Sequence, residues 1–318
     1  MKTLISHSTD PYFNLAWEEY IFKHIECDED ILLLWRNAPS VIVGRNQIIY
    51  GEVEVAYCKT HNIPIIRRIS GGGTVYHDLG NLNYSVITKQ YKDVISNYAY
   101  FTKPILTFLN NLGIHATFSG KSDLKIGNQK ISGNAQIYHQ NRMLHHGTLL
   151  LESDLNRLNQ VIKLETKDII SIGVPSNRSM VTNVYDHLKT KMSFHDFLYN
   201  LQAHWVYPKT IQESSLELSV LDFQAIEQLK QSKYHSWAWN YGESPAFEIH
   251  KEIGINQIQV KVTEGFIEKC LYTNELKSQI ITALKGIPFD VSAYQTAIAQ
   301  FDNEHKKQLE SFKDILFK

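Results

Sequence analysis

The feature that most limits what this chain can fold into is a run of three glycines shortly after a pair of arginines. The apolar run Ile63–Ile66 leads directly into Arg67-Arg68-Ile69-Ser70-Gly71-Gly72-Gly73. A glycine run is useful where the backbone needs a positive φ or where a ligand approaches main-chain N–H groups. The glycines alone are equally compatible with a structural turn. The arginines and the Ser70 hydroxyl favour a cradle for a phosphate or a carboxylate.

The residues around this loop exclude two common nucleotide-binding motifs. No Gly-Lys-Ser/Thr closes the loop, so it is not a Walker A motif. Strand-like residues follow at Val75-Tyr76-His77, so the glycines do not open a helix as they do in dinucleotide-binding folds. The anion hypothesis therefore depends on the glycines, the arginines and Ser70.

Length and composition limit the class of protein. The chain has 318 residues, 43% hydrophobic and 20% charged, which predicts one large globular domain and a smaller one. A formal net charge of −1 argues against a broad basic surface for nucleic acid or for an anionic membrane. Cys27, Cys58 and Cys270 form no CxxC pair, and neither a signal peptide nor a membrane-spanning run is evident. A cytoplasmic protein with reduced thiols is expected.

Hydrophobic periodicity predicts both helices and strands. Asp10-Pro11 is typical of a helix start, and a helix is expected over residues 11–24. Leu124-Lys-Ile126, Gly127-Asn128 and Gln129-Lys-Ile131 predict a hairpin with a two-residue type II′ turn, with Lys130 just past the turn. Further strands are expected at residues 31–35, 41–43, 63–66, 84–88 and 143–151, and a further helix at 101–112.

A change in composition predicts a domain boundary after residue 242. The aromatic segment Trp237 to Gly242 ends in turn-forming residues, so we expect domains over residues 1–242 and 247–318. In the second domain, alternating apolar residues over 258–262, a turn at Glu264-Gly265 and a return over 266–272 predict another hairpin. Asn274 is expected to cap a following helix.

Lys130 is the candidate for a catalytic cation. A strand lysine is usually a solvated surface residue, which is the alternative interpretation. Here Ser132-Gly133-Asn134 are small and polar and leave room for a ligand beside the ammonium group. A lysine between two anionic reactants reduces their repulsion and stabilises charge that develops in the transition state.

His145-His146 and Asp123 are candidates for metal ligands. Adjacent strand residues point to opposite faces of a sheet, so the two histidines cannot easily share one ion, and one ring facing a pocket is the favoured interpretation. Asp123 is a candidate to hold Mg²⁺ together with substrate phosphates, with a surface carboxylate as the alternative. No cysteine lies in these segments and Ser70 has no identifiable base, which argues against an enzyme nucleophile.

Many segments of the chain, in order, resemble lipoate–protein ligase A. The resemblance covers nearly the whole sequence, and a match of this many segments is highly specific. The matching motifs are Asn14-Leu-Ala-Trp-Glu-Glu19, Leu34-Trp-Arg-Asn37, Val43-Gly-Arg-Asn46, Arg67 to Asp78, Gly80-Asn81, Asp123-Leu124, Lys130-Ile-Ser-Gly133, His145 to Leu150, Val181-Thr-Asn183 and Trp237 to Gly242.

The resemblance implies an α/β fold and a two-step reaction. A large catalytic domain on a mixed sheet, like that of biotin ligases and octanoyl transferases, would precede a small C-terminal accessory domain. Lipoate would attack the α-phosphate of MgATP to give lipoyl-adenylate and pyrophosphate, and a carrier lysine would then take the lipoyl group and release AMP. The implied carriers are the E2 lipoyl domains of 2-oxoacid dehydrogenases and the glycine cleavage H protein. A monomer is expected.

The resemblance also assigns roles to individual residues. Lys130 would bridge the carboxylate and the α-phosphate, and Asp123 is the Mg²⁺ candidate. The residues implied to bind ATP or the adenylate are Arg68, Gly73, Thr74, Val75, Tyr76, Lys130 and Arg178. Those implied to bind lipoate are Leu15, Trp17, Glu19, Trp35, Arg68, Ser70, His77, Lys130 and His146.

Met180 departs from the family pattern. It stands where the family carries a second arginine, in a segment that resembles the loop over the adenylate and that retains Arg178. Two alternatives stay open: an ATP-independent octanoyl or lipoyl transferase of the same fold, and a non-catalytic paralogue that binds lipoate or a carrier. Met180 is the only feature that favours the paralogue. A transferase needs an activated nucleophile, usually cysteine, and ordinarily lacks the accessory domain, so both features argue against it.

Overall fold

Three sheets organise the computed structural model, which describes residues 1–89, 92–163, 168–253, 256–272 and 284–317. The strands are β1 (Lys2–Ile5), β2 (Ile31–Trp35), β3 (Ser40–Val43), β4 (Ile65–Arg67), β5 (Val75–His77), β6 (Asn81–Thr88), β7 (Ala116–Ser119), β8 (Asp123–Ile126), β9 (Gln129–His139), β10 (Arg142–Leu150), β11 (Ile169–Ser171), β12 (Phe247–Ile253), β13 (Asn256–Thr263) and β14 (Phe266–Tyr272).

Helices connect and cover these strands. The α-helices are α1 (Pro11–His24), α2 (Ile49–Glu52), α3 (Val55–Thr60), α4 (Tyr98–Asn111), α5 (Leu155–Val161), α6 (Phe194–Val206), α7 (Ile211–Ser214), α8 (Val220–Leu229), α9 (Val291–Ile298) and α10 (Asn303–Phe317). Short 3₁₀ turns lie at Lys92–Val94 and Val184–His187, and π-helical turns at Lys230–Tyr234 and Ala238–Gly242. No helix in the described ranges is long and apolar enough to cross a membrane.

The largest sheet has seven strands in the order β1-β2-β6-β10-β9-β8-β7. Strands β1 and β2 run parallel and the other neighbours run antiparallel. This confirms the mixed sheet implied by the resemblance. A second, three-stranded sheet has the order β4-β3-β5, with β3 parallel to β4 and antiparallel to β5. The glycine-rich loop connects β4 to β5, so the small sheet holds both ends of the loop.

Helix α1 has the bounds predicted from its capping residues. The Asp10 carboxylate accepts a hydrogen bond from the Tyr12 backbone N–H at 2.9 Å, and Pro11 occupies the first turn. The apolar face of the helix packs on strand β2 in one core cluster that includes Leu15, Trp17 and Trp35. Helix α1 is therefore packed on one face of the seven-stranded sheet, over β2.

The predicted hairpin is confirmed at β8 and β9. Ile126 pairs with Gln129 across a two-residue loop, and Gly127 has a φ of +56°, as the first position of a type II′ turn requires. Other bounds differ from the prediction. Strand β4 begins at Ile65 because the chain still turns at Asn62, whose φ is +53°, and helix α4 begins earlier than predicted because Asn97 caps it.

The C-terminal residues form a four-stranded antiparallel sheet in the order β11-β12-β13-β14. The predicted alternation is confirmed, since Ile258, Val260 and Val262 are all buried. Strand β11, from before residue 242, pairs with β12, from after it. The boundary at residues 242–247 stays a prediction, and the helix cap expected at Asn274 lies outside the described residues.

His145 and His146 lie on opposite faces of β10, as predicted. The His145 ring stacks on Phe101 with ring centroids 4.8 Å apart, and its Nδ1 lies 3.1 Å from Nε2 of Gln136. Burial, helped by His146, lowers the pKa of His145 to about 3. Among the described residues no group of three or more His, Cys, Asp or Glu side chains is arranged to hold a metal ion.

Close contact between two loops requires a glycine at position 44. A Cβ on Gly44 would lie 2.1 Å from the carbonyl oxygen of Gly72, which itself has a φ of +89°. Gly71 is different, because a Cβ there would meet no atom within 4 Å. The loop after β3 and the glycine-rich loop are thus packed backbone to backbone.

Gly44→Ala should destabilise the protein, whereas Gly71→Ala should not. The added methyl group at position 44 must displace the backbone of Gly72, which costs about 1–3 kcal/mol of unfolding free energy. The Gly71→Ala variant is the matched control and should stay within about 0.5 kcal/mol of wild type. Urea unfolding of the three proteins tests this, and equal stability of the two variants would contradict the packing described.

Protonation of His145 should weaken the fold in acid. A pKa lowered to about 3 means that the unfolded chain binds a proton between pH 6.5 and 3 and the folded chain does not. Stability contributed by neutral His145 is therefore complete above pH 6.5 and is lost as the pH falls toward 3. In His145→Gln the slope of unfolding free energy against pH should fall by about 1 kcal/mol per pH unit.

The exposed His195 provides the control for this experiment. Its side chain is 86% exposed, so His195→Gln should leave the slope unchanged. An equal slope in wild type and His145→Gln would show that His145 titrates normally in the folded protein.

Candidate active site

Arg68 holds the glycine-rich loop from inside the protein. Its Nε donates to the Ser70 hydroxyl at 3.0 Å, and its NH2 donates to the carbonyl oxygens of Gly71 and Gly73 at 2.6 and 2.9 Å. Burial lowers the pKa of Arg68 to about 10, so the group is a cation at neutral pH. Its acceptors in the described chain are a hydroxyl and carbonyl oxygens, and the Glu18 charge, which raises the pKa of Arg68, acts without a direct hydrogen bond. An anionic ligand would therefore add a direct counter-charge.

Arg67, the neighbouring arginine, has a structural role. It is fully buried, and burial lowers its pKa to about 10. Its guanidinium donates to the carbonyl oxygens of Gly44, Arg45, Gln47 and Asn240 and to the hydroxyl of Ser244. Arg67 therefore ties the loop after β3 to the segment that leads into the C-terminal sheet, and it does not reach the glycine-rich loop.

Two cavities adjoin the glycine-rich loop. The first is lined by apolar side chains, among them Leu15, Trp35 and Ile42, and by polar ones, among them Arg68, His77 and His146. The second is lined by Tyr76, Leu150, Leu158 and Ile162 and by residues 176–179 of the loop that follows β11. Lys130, Gly133 and Thr148 line both cavities, as do Thr74, Val75, Ser176 and Asn177. The cavities therefore meet beside the Lys130 side chain.

Strand geometry and a glycine place Lys130 at this junction. Its Nζ lies 2.9 Å from Oδ1 of Asp123, which faces it from β8. A Cβ on Gly133 would lie 3.0 Å from the Lys130 Nζ, so the absent side chain makes room for the ammonium group. The Lys130 backbone N–H donates to the Met180 carbonyl at 2.8 Å. The segment with Met180 is thus fixed beside Lys130 by its backbone, while the Met180 side chain is 70% exposed.

Glu52 and Ser176 join the glycine-rich loop to the loop over the second cavity. The Glu52 carboxylate accepts from the backbone N–H of Ser176 at 3.0 Å and also from its hydroxyl. The same hydroxyl oxygen accepts from the Thr74 N–H at 2.9 Å. The NH2 group of Arg178 lies 3.5 Å from Oε2 of Glu52. Glu52 was not predicted from the sequence, because Ser176 lies 124 residues away along the chain.

Ser70, His146 and Glu18 form a hydrogen-bonded chain. Ser70 Oγ lies 2.6 Å from His146 Nε2, and His146 Nδ1 lies 2.9 Å from Glu18 Oε1. The expectation that Ser70 has no partner able to act as a base is therefore wrong, because β10 brings His146 across from a distant part of the sequence. Ser70 is nonetheless fully buried, absent from the lining of both cavities, and receives the Arg68 Nε–H. Its oxygen is not accessible to an acyl group.

His77 lines the first cavity beside Trp35. Its ring meets Trp35 edge-on with centroids 5.9 Å apart, and its Nδ1 lies 3.1 Å from Nδ2 of Asn37. Burial, with the charges of Arg68 and His146, lowers the pKa of His77 to about 3. The ring is therefore neutral near pH 7.

The structure brings most of the predicted site residues together. Trp17 is packed in the core beside α1 and lines neither cavity. Glu19 accepts hydrogen bonds from Lys23, Lys233 and the Tyr234 hydroxyl, and it too lines neither cavity. Its neighbour Glu18 is the carboxylate that reaches His146. Glu18 and Glu19 are adjacent on one helix, so the local sequence does not show which of them reaches the site. A lipoate-binding role for Trp17 and Glu19 stays a prediction.

The catalytic part of the chain matches a known family. The family model described as the lipoyl protein ligase A/B catalytic domain matches residues 10–205. Lipoate–protein ligase 1 of Staphylococcus aureus is 37% identical over 306 residues, which are 93% of this chain and 93% of that protein. A lipoate–protein ligase of Bacillus subtilis is 38% identical over 266 residues, 82% of this chain and 80% of the relative.

Solved structures show the same relationship. The crystal structure of lipoate-protein ligase A bound with ATP superposes with a TM-score of 0.62 at 28% identity, over 75% of this chain and 97% of that one. A bipartite lipoate protein ligase from Thermoplasma acidophilum, studied with its E2 lipoyl domain, gives a TM-score of 0.61 at 26% identity, over 75% of this chain and 95% of that one. By these sequence and structural matches, the chain belongs to the lipoate–protein ligase A family.

Proposed function

We propose that this lipoate–protein ligase activates lipoate with ATP as lipoyl-adenylate and then transfers the lipoyl group to a carrier lysine. The observation that carries this proposal is the junction of two cavities at Lys130. An AMP-forming ligase must hold a carboxylic acid and a nucleotide so that one carboxylate oxygen faces the α-phosphorus. Two cavities with one cationic meeting point suit that requirement.

The first cavity suits lipoate. Leu15, Trp35 and Ile42 offer an apolar surface for the acyl chain and the dithiolane ring. The buried cation of Arg68, which makes no direct hydrogen bond to a carboxylate among the described residues, attracts the carboxylate end. The acid is thereby oriented with its reactive end toward Lys130.

The second cavity suits the nucleotide. Tyr76, Leu158 and Ile162 offer apolar contacts for a base and a ribose, and Arg178 lines the same cavity. The backbone N–H groups of the glycine-rich loop and of residues 176–179 can meet phosphate oxygens. One solved relative holds ATP, and we place ATP in the second cavity of this chain on the basis of these contacts.

Lys130 is the proposed catalytic residue of both steps. In the first step a lipoate carboxylate oxygen bonds to the α-phosphorus, and the bond from that phosphorus to the pyrophosphate oxygen breaks. In the second step a carrier amine bonds to the acyl carbon, AMP leaves, and the amine loses a proton. Lys130 Nζ, released from Asp123, would contact the carboxylate and α-phosphate oxygens and stabilise the charge on them in each transition state.

Asp123 is the proposed protein ligand for the Mg²⁺ that accompanies ATP. It is the sole carboxylate among the residues that line the two cavities. One carboxylate together with phosphate oxygens and water is a usual environment for Mg²⁺, so the residues present fit the ion. Bound there, Mg²⁺ would neutralise phosphate charge.

The proposed acceptors are the lipoyl domains of E2 subunits and the glycine cleavage H protein. A Thermoplasma acidophilum relative was studied with its E2 lipoyl domain, which supports the first class. A cytoplasmic location is also proposed, because Cys27, Cys58 and Cys270 are unpaired in the structure, as in a reducing compartment.

An ATP-independent transferase is less well supported. No cysteine lines either cavity within the described parts of the chain. Ser70 has a histidine partner, but its oxygen is shielded from the cavity and held by Arg68. Adenylate chemistry needs no enzyme nucleophile, because the mixed anhydride is already activated.

Lys130→Ala should strongly slow adenylate formation while leaving the fold intact. We expect the rate of lipoyl-adenylate formation, measured by liquid chromatography of quenched reactions, to fall about 10²–10³-fold, because a group that stabilises transition-state charge is lost. Lys125→Ala is the matched control, since Lys125 lies opposite on β8 and lines neither cavity. Wild-type rates in Lys130→Ala would contradict the mechanism.

Arg68→Met should raise the lipoate and ATP concentrations needed for activity. Loss of a charge-assisted partner is worth about 1.5–3 kcal/mol, which corresponds to about 10–150-fold in KM. Arg68→Lys retains the charge but not the fork of donors, so it should fall between wild type and Arg68→Met. Thermal unfolding of both variants separates loss of binding from loss of folding. Unchanged titrations in a folded Arg68→Met protein would contradict the assignment.

A further inference from the structure

Glu52 is a buried carboxylate that the two-step reaction does not use. It is 5% exposed and lines neither cavity. Its side-chain partners in the described chain, Ser176 and Arg178, both belong to the loop that follows β11. Helix α2, which carries Glu52, is anchored on its other side, because the Tyr50 ring meets Phe289 edge-on with centroids 4.7 Å apart. Glu52 is therefore a fixed point from which that loop is held.

The partners of Ser176 determine the direction of its hydroxyl group. Gln47 Oε1 accepts the Gly44 backbone N–H at 3.0 Å, so the other end of this amide is the nitrogen. Gln47 Nε2 donates to Ser176 Oγ at 3.0 Å, and the Thr74 backbone N–H donates to the same oxygen at 2.9 Å. Both lone pairs of the hydroxyl are then used, so its proton goes to Glu52 Oε2. Since Oε1 accepts the Ser176 backbone N–H at 3.0 Å, Glu52 is an acceptor at both oxygens.

These hydrogen bonds join two loops at the second cavity. Thr74 of the glycine-rich loop and Ser176 of the loop that follows β11 both line it. A Cβ on Gly73 would lie 3.1 Å from Ser176 Oγ, so the loops are in close contact. Arg178 lines the same cavity, and its NH2 group lies 3.5 Å from Glu52 Oε2. One carboxylate outside the cavity thus contacts both the bridging serine and the cation of the loop.

We infer that Glu52 is a positioning residue for the nucleotide, which acts through Ser176 to hold the two loops together and to keep Arg178 at the second cavity. Arg178 is the only charged residue between positions 174 and 181 of the sequence, so its placement determines whether this loop offers a cation to phosphate. Lipoate should depend on Glu52 much less, because Arg68 holds the glycine-rich loop independently. The nucleotide role of Glu52 rests on the proposed function, whereas its hold on the loop does not.

Glu52→Gln keeps the shape of the side chain and replaces one acceptor by a donor. Whichever way the new amide turns, the N–H or the O–H of Ser176 loses its acceptor, and Arg178 loses its charge partner. The KM for ATP in lipoyl-adenylate formation should rise about ten-fold, and kcat at saturating ATP should change less than about three-fold. The Kd of lipoate, measured by calorimetry without ATP, should stay within about two-fold of wild type.

Glu54→Gln is the matched control for this variant. It removes the same charge two residues farther along, and Glu54 lines neither cavity, so the KM for ATP should stay at the wild-type value. An unchanged KM for ATP in Glu52→Gln, or a loss of lipoate affinity as large as the rise in that KM, would overturn the inference.

Ser176→Ala tests whether the effect of Glu52 passes through the serine hydroxyl. Ser176 lies on a partly exposed loop, so the fold should tolerate the change. Because Glu52→Gln and Ser176→Ala disrupt the same contact, the rise in KM for ATP in the double variant should be smaller than the product of the two single effects. A rise equal to that product would show that the two residues act on the nucleotide separately, which would overturn the inference.

Amide hydrogen exchange of the ATP-free, full-length protein tests the hold on the loops without reference to activity. The backbone N–H groups of Thr74 and Ser176 both donate within this network, so in Glu52→Gln both should exchange about five-fold faster or more, while the amides of β6 keep their wild-type rates. Unchanged exchange at both positions in an active ligase would contradict the inference alone. Faster exchange in Glu52→Gln, together with a wild-type protein that forms no lipoyl-adenylate, would contradict the proposed function and with it the nucleotide role, but not the hold on the loops.

Discussion

The site depends on the hydrogen bonds of one buried guanidinium, that of Arg68, whose acceptors are all neutral. Arg68 donates to carbonyl oxygens of the glycine-rich loop and so determines the path of that loop between β4 and β5. It also donates to Ser70, whose hydroxyl then meets His146. The same cation gives the first cavity its attraction for an anion. One side chain thus shapes the loop, orients its neighbours and supplies the charge that a carboxylic acid needs.

Lys130 is the second residue on which the site depends. It lies where the two cavities meet, on a strand that begins directly after a tight turn. Its contact with Asp123 holds the ammonium group beside both cavities. A near-neutral chain can therefore act on two anionic substrates, because its useful positive charge is concentrated at a few buried or half-buried positions.

Local features of the sequence predicted local structure well. The cap at Asp10 fixed the start of α1, and Gly127-Asn128 fixed the hairpin, because each depends on neighbouring residues only. The site was predicted less completely. Arg67 and Arg68 are adjacent and identical in type, yet only the fold shows that one ties loops together and the other holds the glycine-rich loop. The contact of Ser70 with His146 spans 76 residues and that of His146 with Glu18 spans 128, so no local pattern indicates either.

The central claim is that lipoate and the nucleotide occupy different cavities and react beside Lys130. A crystal structure of the chain with bound lipoyl-adenylate tests it most directly. The acyl chain should lie between Leu15 and Trp35, the AMP moiety against Tyr76 and Arg178, and Lys130 Nζ in contact with the oxygens of the mixed anhydride. An adenylate lying within one cavity, or an anhydride remote from a Lys130 still paired with Asp123, would contradict it.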